Sequence, residues 1–167
     1  MAATAERYLG MGEFHFAGGP LRLRTLLGSC VSIVLWHPGR GLGGMCHYML
    51  PERQHPKGEA PDGRYGEEAM ALFDLAFARY RSRAADYRAK VFGGGNMFSK
   101  QQTEGSTLDI GRRNIDTAHR LLAERGIPVV AEHLGGCGHR KLVFDVQSGK
   151  VWLLFQEENR PHPRRPQ

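Results

Sequence analysis

No apolar run in this chain is longer than a β-strand needs. The longest unbroken stretches, 69–73 and 151–155, fall far short of the about 20 residues that carry a helix across a bilayer, so membrane insertion is not expected. The first residues, Met1-Ala2-Ala3-Thr4-Ala5-Glu6-Arg7, lack the basic start and apolar centre of a secretory leader. Cysteine is scarce and odd in number: Cys30, Cys46 and Cys137 have neither zinc-site nor disulfide-framework spacing, which points to free thiols in a reducing cytoplasm. The run Gly93-Gly94-Gly95-Asn96 lacks the Gly-Lys-Ser/Thr ending of a phosphate loop and the spacing of a dinucleotide fingerprint. No helix-turn-helix, zinc or aromatic-platform motif accompanies the basic charge. Nucleic acid, cofactor and metal are therefore not expected.

What is present is basic and rich in glycine. Lys and Arg number 23 against 17 Asp and Glu, a net charge of +6 carried largely on helix faces and in the tail. Most of it reads as solvated surface; the remainder would draw in an acidic protein partner. The 22 glycines cluster, which argues for tight turns around a site and against a flexible linker.

At 167 residues the chain is one domain, taken as 7–157, with disordered tails at 1–6 and 158–167. Short strands are expected at 13–16, 21–27, 31–36, 44–50, 90–92 and 129–132. A closing hairpin is expected from 141–146 and 150–155, turning at Gln147-Ser148-Gly149. Met70, Phe73, Ala76, Phe77 and Tyr80 share one face of a helix over 67–83. Ile115, Ala118, Leu121 and Leu122 do the same on a helix from about Asp109 to Arg125, stopped by Gly126 and Pro128. Between them, residues 51–66 hold three prolines and three glycines and read as a flap.

The chemistry concentrates at Gly28-Ser29-Cys30. An apolar run over 21–27 breaks at Gly28, presents Ser29 and Cys30, and resumes at Val31. A thiol at a glycine-marked break between two strands suits the lip of a cleft. After the turn 37–41 a second strand returns His47 towards Cys30, placing a base beside a nucleophile. Cys46, next to His47, points to the opposite face and reads as structural. Cys137, between His133 and His139, offers a weak metal pattern, and a structural role fits it better. Asn96 is a candidate hydrogen-bonding group on the approach of the glycine loop to the cleft.

The segments Thr25-Leu26-Leu27-Gly28-Ser29-Cys30, Cys46-His47-Tyr48-Met49-Leu50-Pro51, Phe92-Gly93-Gly94-Gly95-Asn96-Met97, Ile110-Gly111-Arg112-Arg113-Asn114 and 135–141 together resemble the CheD family, the chemoreceptor glutamine deamidases of chemotaxis. The resemblance implies an amidohydrolase converting glutamines of methyl-accepting receptors to glutamates, with Cys30 as nucleophile, His47 as base and Thr25 completing the triad. Gly28, Ser29 and Asn96 are the candidates around the oxyanion and substrate. It implies an α+β fold of packed β-sheets flanked by two main helices, like the cytotoxic necrotizing factor deamidases. A CheC-type phosphatase is implied as a further partner. Two other readings stay open: a mainly non-catalytic module that regulates such a phosphatase, and a thiol amidohydrolase with another protein target.

Overall fold

The computed structural model describes residues 3–54, 60–97 and 109–158. Among these, nine strands and two α-helices follow one another: β1 (Ala5–Tyr8), β2 (Phe14–Gly18), β3 (Leu21–Leu27), β4 (Val31–His37), β5 (Leu42–Cys46), α1 (Gly66–Arg79), β6 (Arg88–Gly93), α2 (Ile110–Glu124), β7 (Val129–Leu134), β8 (Gly138–Asp145) and β9 (Val151–Glu157). They form two mixed sheets, ordered β1-β3-β8-β9 and β2-β5-β4-β6-β7, so the class is α+β as expected.

Three layers result. Leu23 and Leu27 of β3 and Leu142 and Phe144 of β8 meet Val34, Met45 and Phe92 of the larger sheet in one core. On that sheet's other face, Val31, Ile33, Leu35 and Cys46 pack against Met70, Phe73 and Phe77 of α1 and Ala118, Leu121 and Leu122 of α2. Covered on both faces, β4 needs apolar side chains at successive positions, hence Ile33-Val34-Leu35 rather than a clean alternation. The smaller sheet has its inner face on the first core and, among the described residues, no helix on its outer face.

The helix ends differ in an instructive way. Asp109 caps α2, accepting the Arg112 N–H at 3.0 Å. Its C-terminus closes on Gly126, left-handed at φ 66°, with Ile127 N–H bonded to Leu122 O and Gly126 N–H to Ala123 O. The expected helix over 67–83 stops instead at Arg79, because Arg81 takes the left-handed conformation (φ 50°) and makes the same pair of closing bonds, Ser82 N–H to Phe77 O and Arg81 N–H to Ala78 O. An arginine in the place of a glycine gives no stop signal in the sequence.

Two further expectations are corrected. The start 1–6 is not wholly a frayed tail: Ala5 and Glu6 belong to β1, held by parallel pairing with Leu21 and Arg22. The strand expected at 44–50 is instead Leu42–Cys46, after which the β4–β5 ladder opens and closes again at one pair, Val31 with Tyr48. In the 51–66 loop, Met49 and Leu50 N–H both bond to Arg64 O and Gly66 N–H to Leu50 O, which pins its root; its centre, 55–59, lies outside the described residues. The tail expected at 158–167 also lies outside them, apart from Glu158.

Candidate active site

Cys30 and His47 reach one place through the register of β4 and β5. Val31 and Tyr48 exchange both backbone hydrogen bonds (N···O 3.1 and 3.0 Å), so Cys30 stands opposite Met49 and Ser32 opposite His47. Alternation sends Val31 and Tyr48 to the helix side, and Cys30, Ser32 and His47 to the layer between the sheets. Cys30 and His47 are thus diagonal neighbours on one face, a relation that places such residues about 7–8 Å apart at Cα. Cys46 faces the helices, fully buried, and its sulfur accepts the Ile33 N–H at 3.4 Å.

Thr25, on the inner face of β3, meets the imidazole from the opposite sheet. Its Oγ1 is 2.7 Å from His47 Nδ1 and 2.7 Å from the Leu9 carbonyl. A carbonyl can only accept, so the hydroxyl proton goes to Leu9 and the hydroxyl oxygen accepts from Nδ1–H. That leaves Nε2 unprotonated. Nε2 is buried and has no hydrogen-bond partner among the described residues, and Ser32 Oγ in the same layer has none there either. The His47 carbonyl, released by the opened ladder, accepts the Gly12 N–H at 2.7 Å, while Leu9 N–H bonds to Arg24 O at 2.7 Å. The His47 ring is therefore held through the segment after β1 and the turn that follows, which carry no chemical signature in the sequence.

The turn bearing the thiol is fixed by its carbonyls. Gly28 O accepts from Gly95 N–H and Cys30 O from Gly94 N–H, both at 2.9 Å. Ser29 O accepts from Asn114 Nδ2 at 3.3 Å, and the same nitrogen reaches Met49 O at 2.9 Å. Asn114, wholly buried on α2, so ties the lead into Cys30 to the chain just past His47, and sequence reasoning gave it no such part. Among the described residues no backbone bond engages the Ser29 or Cys30 N–H, which leaves two donors beside the sulfur. Gly93 permits the close approach: at φ 109°, a Cβ there would lie 2.2 Å from Cys30 O.

Thr25, Gly28, Ser29, Cys30 and His47 are thus gathered at one end of the inter-sheet layer. Met97 Sδ and His139 Nδ1 flank them, 3.4 and 3.7 Å from where a Gly28 Cβ would be. Asn96 sits differently. Its N–H bonds to Gly136 O at 2.7 Å, and it borders a cavity of about 380 Å³ beside α2, shared with Asp109, Arg112 and His119; neither Cys30 nor His47 lines that cavity. Of the residues around Cys137, His133 Nδ1 accepts from Arg140 Nε at 2.9 Å and His139 pairs with Glu158 at 3.3 Å.

Burial governs the electrostatics. It lowers the affinity of His47 for a proton, an effect opposed by the Leu9 carbonyl and by Glu13, and the net shift is downward. It raises the Cys30 thiol, partly offset by that residue's own N–H. Cys46 is pushed up to about 12. Both shifts favour the uncharged forms, a thiol and an imidazole, on one face of the inter-sheet layer.

The family model for CheD, described as CheD chemotactic sensory transduction, matches residues 49–154. The probable chemoreceptor glutamine deamidase CheD 3 of Dechloromonas aromatica is 51% identical over 152 residues, covering 91% of this chain and 88% of its own. A probable chemoreceptor glutamine deamidase CheD 2 of Albidiferax ferrireducens is 46% identical, with coverage of 87% and 84%. The corresponding protein of Pseudomonas syringae pv. tomato is 42% identical, with 90% and 89%. Among solved structures, Bacillus licheniformis hypothetical protein YfiH superimposes with a TM-score of 0.45 at 16% identity over 71% of this chain and 49% of that one, too loose a likeness to argue from. The family match covers well over half the chain, and the Dechloromonas alignment leaves too few residues outside it to omit Thr25, Cys30 or His47. The chain belongs to the CheD family.

Proposed function

We propose that this protein is a chemoreceptor glutamine deamidase: a protein-glutamine amidohydrolase that converts glutamine side chains of methyl-accepting receptors to glutamate. The observation that carries it is the His47 ring, tethered at Nδ1 by Thr25 and left with an unpartnered, buried Nε2 on the same face as a thiol. The names of the relatives supply the substrate class.

In this reading His47 Nε2 takes the Cys30 proton as sulfur attacks the carboxamide carbon. The oxyanion is held by the Ser29 and Cys30 N–H groups, with Gly28 leaving room for the substrate chain; Asn96, on the α2 side, takes no part in this step. Collapse expels ammonia, which carries away the proton from His47, and leaves a thioester. His47 then activates water, the thioester breaks, and the thiol and a glutamate side chain are released. Thr25 keeps Nδ1–H engaged throughout, so the ring neither flips nor changes tautomer.

The reading extends to a cytoplasmic setting, to a fold like the cytotoxic necrotizing factor deamidases, and to a CheC-type phosphatase as a second partner. Among the described residues no helix is long and apolar enough to cross a membrane. The test is incubation with a receptor cytoplasmic fragment and peptide mass analysis. Conversion of particular glutamines is expected; an unchanged fragment with a fully folded protein would refute the assignment, and conversion of unrelated proteins in its place would favour another target.

A further inference from the structure

Among the described residues no helix covers the outer face of the smaller sheet, which carries large apolar side chains. Tyr8 is 60% exposed, Leu26 43%, Trp152 49% and Leu154 60%. The register lines them up across the strands. Leu26, Lys141 and Leu154 form one row, and Tyr8, Arg24, Val143 and Trp152 the next. Scattered apolar residues need no explanation, but two adjoining rows on one uncovered face mark an interaction surface.

Charge narrows the occupant. Arg24 and Arg22 are already paired with Glu6 and Asp145, and the Arg22 guanidinium lies 5.3 Å from the Trp152 ring. Lys141, between the two exposed leucines, has no ion pair among the described residues. It asks for a carboxylate flanked by apolar groups. A second copy would offer the same face, whose Glu6 and Asp145 are already paired with Arg24 and Arg22, and the chain's own end, with Arg160, Arg164 and Arg165, has the wrong sign. Four strands span about 14 Å, wide enough for one α-helix of about 10–12 Å. The rows also run straight to the catalytic turn: Leu26 is followed by Leu27 and Gly28, and His139, two residues before Lys141 on the same face of β8, reaches Gly28.

We infer that this face docks the substrate, gripping an acidic amphipathic helix of the receptor through Leu26, Lys141, Leu154 and Trp152 so that its glutamine reaches Cys30. The inference rests on the deamidase reading above.

Two measurements test it. Wild type, Lys141→Glu and Leu154→Asp are compared in deamidation of a folded chemoreceptor cytoplasmic fragment, with the rate of Cys30 alkylation by iodoacetamide as a control for an intact site. Each substitution should lower kcat/KM by about tenfold or more through KM, about 1.4 kcal/mol of binding, with alkylation unchanged. In the second, Cys30→Ala protein with and without Lys141→Glu is titrated into the same fragment. Weaker binding with Lys141→Glu, recovered by reversing an acidic residue of the receptor helix to Lys, supports the docking face; equal binding overturns it. This titration decides the matter even if wild type deamidates nothing, an outcome that removes the deamidase reading alone. A change in the free protein's mass by light scattering on Lys141→Glu would assign the face to self-association and overturn the inference.

Discussion

Thr25 lies in the smaller sheet and His47 just past the end of β5 in the larger one, yet Oγ1 and Nδ1 stand 2.7 Å apart, with the Leu9 carbonyl directing the hydroxyl proton away from the ring. One hydroxyl thereby fixes the tautomer of the imidazole. Thr25→Val keeps the shape and removes the group, orphaning both the Leu9 carbonyl and Nδ1–H. Deamidation should fall about 10- to 100-fold, and stability by about 1–3 kcal/mol for the unsatisfied buried groups. Thr25→Ser should recover most of both. Steady-state kinetics and denaturant unfolding read the two effects; a fully active Thr25→Val would remove threonine from the mechanism.

Asn114 makes a different kind of prediction. Its amide nitrogen holds Ser29 O and Met49 O together, so Asn114→Asp replaces a shared donor with a carboxylate facing two carbonyls. An unpaired buried charge of this sort costs about 3–5 kcal/mol. Asn114→Ala should cost less in stability while still lowering kcat, because the turn carrying Cys30 loses its tether. Thermal unfolding beside kcat measures both, and an alanine variant with unaltered kcat would show that the clip serves folding only.

The pH behaviour follows from burial. His47 is held below its ordinary value of 6.5, so it stays unprotonated, and activity should persist into mildly acid solution, below the range of a free histidine. Below pH 6.5 the unfolded chain takes up a proton that the folded ring resists, so the His47 contribution is whole above 6.5 and is lost as pH falls towards the folded value. Cys46 acts at the other end: its folded value of about 12 against an ordinary 9.0 means stability declines as pH rises above 9.0. Unfolding curves of wild type and His47→Gln from pH 4 to 7 check the acid limb, which should flatten in the variant.

The three thiols should separate by reactivity. Cys46 is wholly buried and its proton is held to about 12, so alkylation under native conditions should spare it. Labelling of Cys30 should abolish activity in proportion, and His47→Ala should slow it. Peptide mapping after limited iodoacetamide treatment reads this directly; loss of activity that follows Cys46 would be incompatible with the site described.

Much of this site was legible in the sequence. The break at Gly28 between two apolar runs and the turn before His47 sufficed to bring thiol and imidazole to one face, because strand alternation is a rigid rule. The supports were not legible. Ala5–Tyr8 is exposed throughout, so no apolar pattern announces a strand that exists by pairing with β3. Asn114 lies 85 residues from the carbonyl of Ser29 and reads as one polar position on an amphipathic helix. Asn96, singled out for its glycine neighbours, borders the cavity on the α2 side, because the loop reaches Gly28 and Cys30 through the Gly94 and Gly95 backbone.

The most direct measurement is mass analysis of a chemoreceptor cytoplasmic fragment incubated with wild type, Cys30→Ala and His47→Ala proteins of equal fold by circular dichroism. Conversion of defined glutamines by wild type, none by Cys30→Ala and a residual trace by His47→Ala is the predicted result. Undiminished conversion by Cys30→Ala would contradict it.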